Sequence, residues 1–172
     1  MGLFEAEDNT VDTISGAATF VQSEMFAKTF SEGMALVEET ANYLDGEGRT
    51  ASKTLGRDAA LAYAGASMRL TTQLMQIASW LLVLRAVREG EMALSEAAEP
   101  KYRLDGDHEP DPALASEGLP ENLISLVEET RQLYRRISRL DAELFSAIEE
   151  KASGSDAAAQ QRALHKAFGS AS

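Results

Sequence analysis

The strongest hydrophobic pattern in the chain runs from residue 58 to residue 89 and has the period of an α-helix. Its apolar residues form two rows with a spacing of seven. The first row is Leu61, Met68, Met75 and Leu82, and the second is Tyr63, Leu70, Ile77 and Leu84. Because residues seven apart lie on the same side of a helix, two rows make this helix apolar on more than one side. We therefore predict a central helix over residues 58–89, with Asp58 as N-cap, that contacts neighbours on at least two sides.

Two other segments have the same helical period and predict one helix each. Apolar residues spaced three or four apart indicate a helix over about residues 23–45, with Ser23 as N-cap. A heptad seam of leucines and isoleucine indicates another over about residues 120–151, starting at Pro120. No segment alternates apolar and polar residues as a strand would. The predicted fold is therefore all-α, an antiparallel three-helix bundle with long helices.

The remaining segments are predicted to be a connection and a tail. Residues 91–119 hold three of the four prolines and eight acidic residues, which indicates a long acidic connection before the third helix. The helical pattern breaks at residues 152–155, so residues 1–151 are predicted to form the bundle domain and residues 152–172 a flexible tail. Leu164 and Phe168 would share one side of a short helix in that tail.

A membrane span is the competing interpretation of residues 58–89. The uncharged window between Arg69 and Arg85 has only fifteen residues and includes two threonines, two glutamines and a serine. A span needs about 20 predominantly apolar residues, so the pattern favours the central helix of a soluble bundle. The acidic N-terminus has no apolar signal region, and we expect a cytoplasmic protein.

Charge and composition narrow the function classes further. The net charge of −12 disfavours direct binding to nucleic acid and to anionic lipid, because both require positive potential. The absence of cysteine excludes disulfides and thiol catalysis. Residues 105–116 begin like a calcium loop but have Pro110 and Ser116 where glycine and glutamate are needed. We predict no catalytic residue, no cofactor and no metal site.

Three surface features are candidates for protein binding. Arg131, Arg135 and Arg139 form an i, i+4 stripe that either pairs with nearby acids or docks an acidic partner. On the central helix, Trp80, Val83 and Val87 form an apolar line that is either core or a homodimer or partner surface. The third candidate is the pair Leu164 and Phe168, which could anchor the tail in a groove.

Particular stretches of the sequence, and not only its pattern, resemble a known family. They are SEMFAKTF (23–30), EGMALVEETANYLDG (32–46), RDAALAYA (57–64), SMRLTTQLMQIASWLL (67–82), RAVREGEM (85–92) and KYRL (101–104). These stretches are similar to the alphaproteobacterial family called regulator of CtrA degradation, over roughly residues 20–150.

The resemblance implies a non-enzymatic, cytoplasmic adaptor for the ClpXP protease. Members of that family are three-helix bundles that can self-associate, so a homodimer is expected. They bind the ClpX unfoldase once a response-regulator adaptor has primed it, and they tether cargo proteins such as cell-cycle transcription regulators. Two alternatives from other classes remain open: a dimeric scaffold, and a DNA-associated regulator favoured only by the arginine stripe.

Overall fold

The computed structural model describes residues 16–104 and 118–168. A short helical segment at residues 16–21 precedes the first long helix. The elements that follow are α1 (Glu24–Asp45), α2 (Glu47–Ser52), α3 (Arg57–Arg88), α4 (Leu94–Ala97), a 3-10 helix (Pro100–Tyr102) and α5 (Glu121–Phe168). These described residues contain helices and no strands, which confirms the all-α prediction.

The ends of α1 follow from local capping chemistry. Ser23 is the N-cap, and its Oγ accepts a hydrogen bond of 3.2 Å from the backbone N–H of Phe26. This bond satisfies one of the N–H groups that a helix leaves without an internal partner at its start. Gly46 is the C-cap after Asp45. The predicted bounds of this helix, about 23–45, are therefore confirmed.

The bounds of α3 agree with the prediction at its C-terminus and differ slightly at its N-terminus. Gly56 and not Asp58 is the N-cap. Asp58 lies in the first turn, where the positive end of the helix dipole stabilises its carboxylate. At the other end Gly90 has a φ of 77°, and the N–H of Glu91 donates to the carbonyl of Ala86 at 2.9 Å. This is a Schellman motif, whose left-handed position glycine adopts without strain.

The core lies between the three long helices, each of which packs against the other two. Its largest fully buried side chains are Trp80, Tyr134, Phe26, Phe145, Leu70, Ile77, Leu81, Leu84, Leu123 and Ile137. Gly33 lets α1 approach α3 closely, because a Cβ at residue 33 would collide with Cδ1 of Leu81. The predicted antiparallel three-helix bundle is consistent with this shared core.

The second row of α3 packs into the core, as expected of a central helix. Tyr63, Leu70, Ile77 and Leu84 are all buried. Length and composition alone would let α3 cross a membrane, but one such helix is weak evidence because the core helix of a soluble protein passes the same test.

The third long helix extends further than the sequence predicted. α5 has 48 residues, a length of about 72 Å, so its predicted end near residue 151 is wrong. A glycine such as Gly154 costs about 1 kcal/mol in a helix, but the surrounding alanines and glutamines favour helix. A helix that continues from a packed segment also needs no new nucleus. We call residues 152–168 the C-terminal extension; the flexibility expected of residues 152–172 stays a prediction.

Candidate functional site

A buried polar cluster joins α3, α5 and the connection that follows α4. Oδ1 of Asp141 accepts a hydrogen bond of 2.8 Å from the indole Nε1 of Trp80. Its Oδ2 accepts another of 2.8 Å from Nε of Arg103, which is also a salt bridge. The Arg103 guanidinium lies over the ring of Phe145, 4.9 Å from the ring centroid. The cluster therefore fixes the segment around residue 103 against the bundle.

This cluster corrects the interpretation of Trp80 as part of a partner surface. Trp80 is only 2% exposed, so its ring is not available to another protein. Val83 and Val87 are partly buried and pack against the same core. The core alternative therefore describes Trp80, while a homodimer or partner contact at Val83 and Val87 stays a prediction.

The arginine stripe lies on α5, close to acidic side chains of α5 and α1. Arg131 forms an ion pair with Glu128 at 3.5 Å, and Arg136 pairs with Glu32 on α1. Arg135 and Arg139 are exposed. Pairing with Glu128 is thus present at Arg131, while docking of an acidic partner on Arg131, Arg135 and Arg139 stays a prediction.

The first row of α3 forms an exposed apolar ridge, which we call the α3 ridge. It consists of Leu61 (66% exposed), Met68 (72%), Met75 (67%) and Leu82 (51%). The helical period places the ridge on the side of α3 opposite to Tyr63, Leu70, Ile77 and Leu84. The first apolar row of α3 was visible as a pattern in the sequence, and the described residues leave its four side chains exposed.

A groove of about 360 Å³ lies beside the ridge. Thr72, Met75 and Ser79 of α3 form one wall, and residues 101–104 form the other. Lys101 lies on the outer wall, where its hydrogen bond to Glu99, 3.1 Å away, raises the pKa of its ammonium group. Because residues 101–104 include Arg103, the Asp141 cluster holds this wall in position.

The middle of the C-terminal extension presents its side chains to solvent. Residues 157–166 are all exposed, and Leu164 is 56% exposed. Phe168 is the last residue of α5, but its side chain lies outside the described residues. The acidic segment 105–117, with His108, lies outside them as well.

The side chains that form these surfaces are mostly apolar or basic. Among residues 16–104 and 118–168, no group of three or more histidine, aspartate or glutamate side chains is arranged to hold a metal ion. The features that stand out are an apolar ridge with a groove, an arginine stripe and an exposed helical extension. Such features make contacts with other macromolecules.

Comparison with known proteins identifies the family. A family model described as "Protein of unknown function (DUF1465)" matches residues 17–168. The chain belongs to this family. The crystal structure of RcdA from Caulobacter crescentus CB15 is similar to this chain, with a TM-score of 0.63 and 52% sequence identity. That similarity covers 72% of this chain and 93% of RcdA. No curated protein matches the chain.

Membership in the family confirms the resemblance found in the sequence. DUF1465 is the RcdA-like family, and RcdA is named as a regulator of CtrA degradation. The family match extends beyond the stretches that carried the resemblance, because it includes the C-terminal extension to residue 168.

Proposed function

We propose that this protein is a cytoplasmic, non-enzymatic adaptor that delivers cargo proteins to the ClpXP protease. The observation that carries the proposal is the 52% identity to RcdA over 93% of that chain. Its partners would be the ClpX unfoldase, primed by a response-regulator adaptor, and cargo such as cell-cycle transcription regulators.

The mechanism we propose is tethering, which requires no active site. An adaptor that binds cargo and unfoldase together raises the effective concentration of cargo at the protease. The C-terminal extension is suited to one of these contacts, because its exposed Leu164 lies beyond Phe145 and Ile148, which pack against the core. The stripe of Arg131, Arg135 and Arg139 is suited to an acidic partner, because Arg135 and Arg139 are exposed.

Reconstituted degradation tests the proposal directly. The rate at which ClpXP and its phosphorylation-controlled primer degrade a candidate cargo is measured with and without this protein. We expect the full-length chain to increase the rate. A version ending at Ala152 should fold, because it retains Phe145 and Ile148, and it should accelerate degradation less. No acceleration of any tested cargo would refute the adaptor function.

A matched pair of variants separates the contact made by Leu164 from the length of the extension. Leu164→Asp introduces a charge at the exposed apolar residue, and Ala159→Asp introduces the same charge at an exposed alanine five residues earlier. We expect only Leu164→Asp to slow delivery. Equal rates for the two variants would remove Leu164 from the mechanism.

A dimeric scaffold is the second candidate function, and the α3 ridge is the observation that favours it. Stable self-association with no effect on degradation would support this alternative. A DNA-associated regulator is disfavoured by the net charge of −12. Retention on duplex DNA at about 0.15 M salt would revive it.

A further inference from the structure

We propose that the groove between α1 and α5 binds a basic helical segment of a cargo protein. We call it the α1–α5 groove, and its characteristic side chains are Glu39, Glu47 and Glu129. The inference deepens the proposed function, on which it rests for the identity of the partner. The tests below use synthetic peptides and no protease, so their failure would leave the adaptor function open.

Two adjoining cavities of about 380 Å³ and 270 Å³ make up the α1–α5 groove. Glu39 of α1 and Glu129 of α5 line both cavities. Along α5 the groove extends from Asn122 to Arg136, which is a length of about 21 Å. Its floor is apolar and includes the buried side chains of Leu36, Tyr43, Leu126 and Leu133. A groove of this length between two packed helices can receive a third helix.

The carboxylates of the groove are held in position by neutral donors from α5. Nδ2 of Asn122 donates a hydrogen bond of 3.0 Å to Oε1 of Glu47. Oγ of Ser125 donates one of 3.1 Å to Oε1 of Glu129. These bonds orient the carboxylates without neutralising their charge. Among the described residues, no ion pair includes Glu39, Glu47 or Glu129. The groove therefore offers three carboxylates to cationic groups of another molecule.

Tyr43 provides a second and independent indication of a ligand. It lines the same groove and is only 8% exposed. Its hydroxyl has no hydrogen-bond partner within the described part of the chain. The backbone N–H of Leu123 lies near this hydroxyl, but it donates to the carbonyl oxygen of Pro120 at 3.1 Å. A buried hydroxyl without a partner costs free energy, and a cationic side chain that entered the groove would supply a donor.

The carboxylates are spaced for several cationic side chains on one helix. In the described ranges, no group of three acids is arranged to hold a single metal ion. Asn122, which holds Glu47, and Glu129 are seven residues apart on α5, a distance of about 10.5 Å. Residues seven apart on a docked helix have the same spacing. The apolar stems of lysine or arginine would lie on the floor while their cationic ends reach the carboxylates.

The proposed adaptor function identifies the source of this helix as cargo. Transcription regulators carry lysine and arginine on the elements that contact DNA, and many of these elements are helices. A cargo helix that is not bound to DNA would therefore present the side chains that the groove accepts. The net charge of −12 attracts such a helix from a distance. Arg136 is the one basic residue among those that line the groove, and it is paired with Glu32.

Fluorescence anisotropy tests the chemistry of the ligand. The probe is a labelled, alanine-based helical peptide with four lysines on one face, spaced four, three and four residues apart. We expect it to bind the full-length chain with a dissociation constant of roughly 10–100 µM at about 0.05 M salt. Binding should weaken several-fold at about 0.3 M salt, because exposed ion pairs are screened. The same peptide with glutamate in place of lysine should not bind.

Two double variants of equal net charge separate the groove from general attraction. Glu39→Gln with Glu129→Gln removes two charges inside the groove, and Glu38→Gln with Glu96→Gln removes two charges outside it. Each pair changes the net charge from −12 to about −10. We expect the groove pair to raise the dissociation constant of the lysine peptide at least about fivefold, and the control pair less than about twofold. All four side chains are exposed, so both variants should keep the wild-type thermal transition.

Cysteine labelling tests the location of the bound peptide, because the chain has no native cysteine. Asn42→Cys places a thiol in the groove, and Ser31→Cys places one on α1 outside it. The lysine peptide carries an activated disulfide at one end, and each labelling rate is divided by the rate with a small uncharged disulfide. The normalised rate should be at least about fivefold higher for Asn42→Cys, because bound peptide has a high effective concentration there.

Three results would overturn the inference. The first is no binding of the lysine peptide at concentrations up to about 1 mM, well above the expected dissociation constant. The second is an equal loss of binding in the two double variants, which would indicate attraction to the net charge alone. The third is displacement of the peptide by spermidine at an equal concentration, which would indicate a site for a small polyamine instead of a protein segment.

Discussion

The indole nitrogen of Trp80 donates a hydrogen bond of 2.8 Å to Asp141, a residue 61 positions later in the chain. Asp141 is only 4% exposed, and both of its carboxylate oxygens accept a hydrogen bond. Arg103 donates to the oxygen that Trp80 does not reach. Burial of a carboxylate is costly unless it is paired and hydrogen-bonded. This cluster meets that condition and joins two long helices to the connection that follows α4.

Removal of the Asp141 carboxylate should strongly destabilise the fold. Asp141→Ala leaves the Trp80 N–H and the mostly buried Arg103 guanidinium without this acceptor, and we expect a loss of about 3 kcal/mol in the free energy of unfolding. Urea denaturation followed by circular dichroism measures the loss. Glu89→Gln breaks the exposed Arg85–Glu89 pair and should cost less than about 0.5 kcal/mol. Equal losses for the two variants would contradict the structural role of the cluster.

Two glycine-to-alanine substitutions should change stability in opposite directions. A methyl group at Gly33 would collide with Leu81, which is fully buried, so Gly33→Ala should destabilise by about 1–2 kcal/mol. Apart from the adjacent residues and the backbone of the helix itself, no atom of the described residues lies within 4 Å of a methyl group at Gly154. Gly154→Ala should therefore only strengthen the helix of the C-terminal extension. Thermal melts and helical ellipticity distinguish the two. A neutral Gly33→Ala would show that α1 and α3 can separate slightly without cost.

Loss of the α1 N-cap should cost about 1 kcal/mol. Ser23→Ala removes the hydroxyl that accepts a hydrogen bond from the backbone N–H of Phe26. The side chain of Phe26 is fully buried. Ser31→Ala is the control, because Ser31 is exposed within the same helix, where alanine is the better helix former. Denaturant midpoints should fall for Ser23→Ala and rise slightly for Ser31→Ala. A lower denaturant midpoint for both variants would indicate that loss of the N-cap is not the cause of the destabilisation in Ser23→Ala.

Alkaline pH should destabilise the fold through two tyrosines. Burial raises the pKa of Tyr43 and of Tyr63, and the neighbouring Tyr63 contributes to the shift at Tyr43. The stabilising contribution is complete below the unfolded value of about 10 and is lost as pH rises through the higher folded pKa. The double variant Tyr43→Phe, Tyr63→Phe should therefore lose less thermal stability between about pH 9 and 11 than wild type. Equal losses of thermal stability for the double variant and for wild type over this pH range would contradict the prediction.

The helix bounds that local chemistry determines could be predicted from the sequence. Ser23 acts through its own backbone neighbours, so its role as N-cap is visible in the sequence alone. The end of α5 could not be predicted in this way, because a helix as short as the tail would be marginal on its own in water. In the structure it continues a helix that the core already stabilises.

The two faces of α3 show what periodicity can and cannot establish. Spacing correctly grouped Leu61 with Met68 and Tyr63 with Leu70, but it could not decide which group faces the core. The same ambiguity applies to Trp80, because spacing alone is compatible with a core position and with a surface position. Its partner Asp141 is polar and distant in sequence, and a pattern of apolar residues contains no signal for such a pair.

The length of α5 also means that one continuous ladder of backbone hydrogen bonds spans regions of very different local stability. Amide protons near Phe145 lie in the core and should exchange with solvent only when the whole fold opens. Those of residues 157–166 have only the helix itself to protect them and should exchange through fraying from the C-terminus. A single helix in this protein therefore reports both global unfolding and local opening, at positions about 18 to 32 Å apart along its axis.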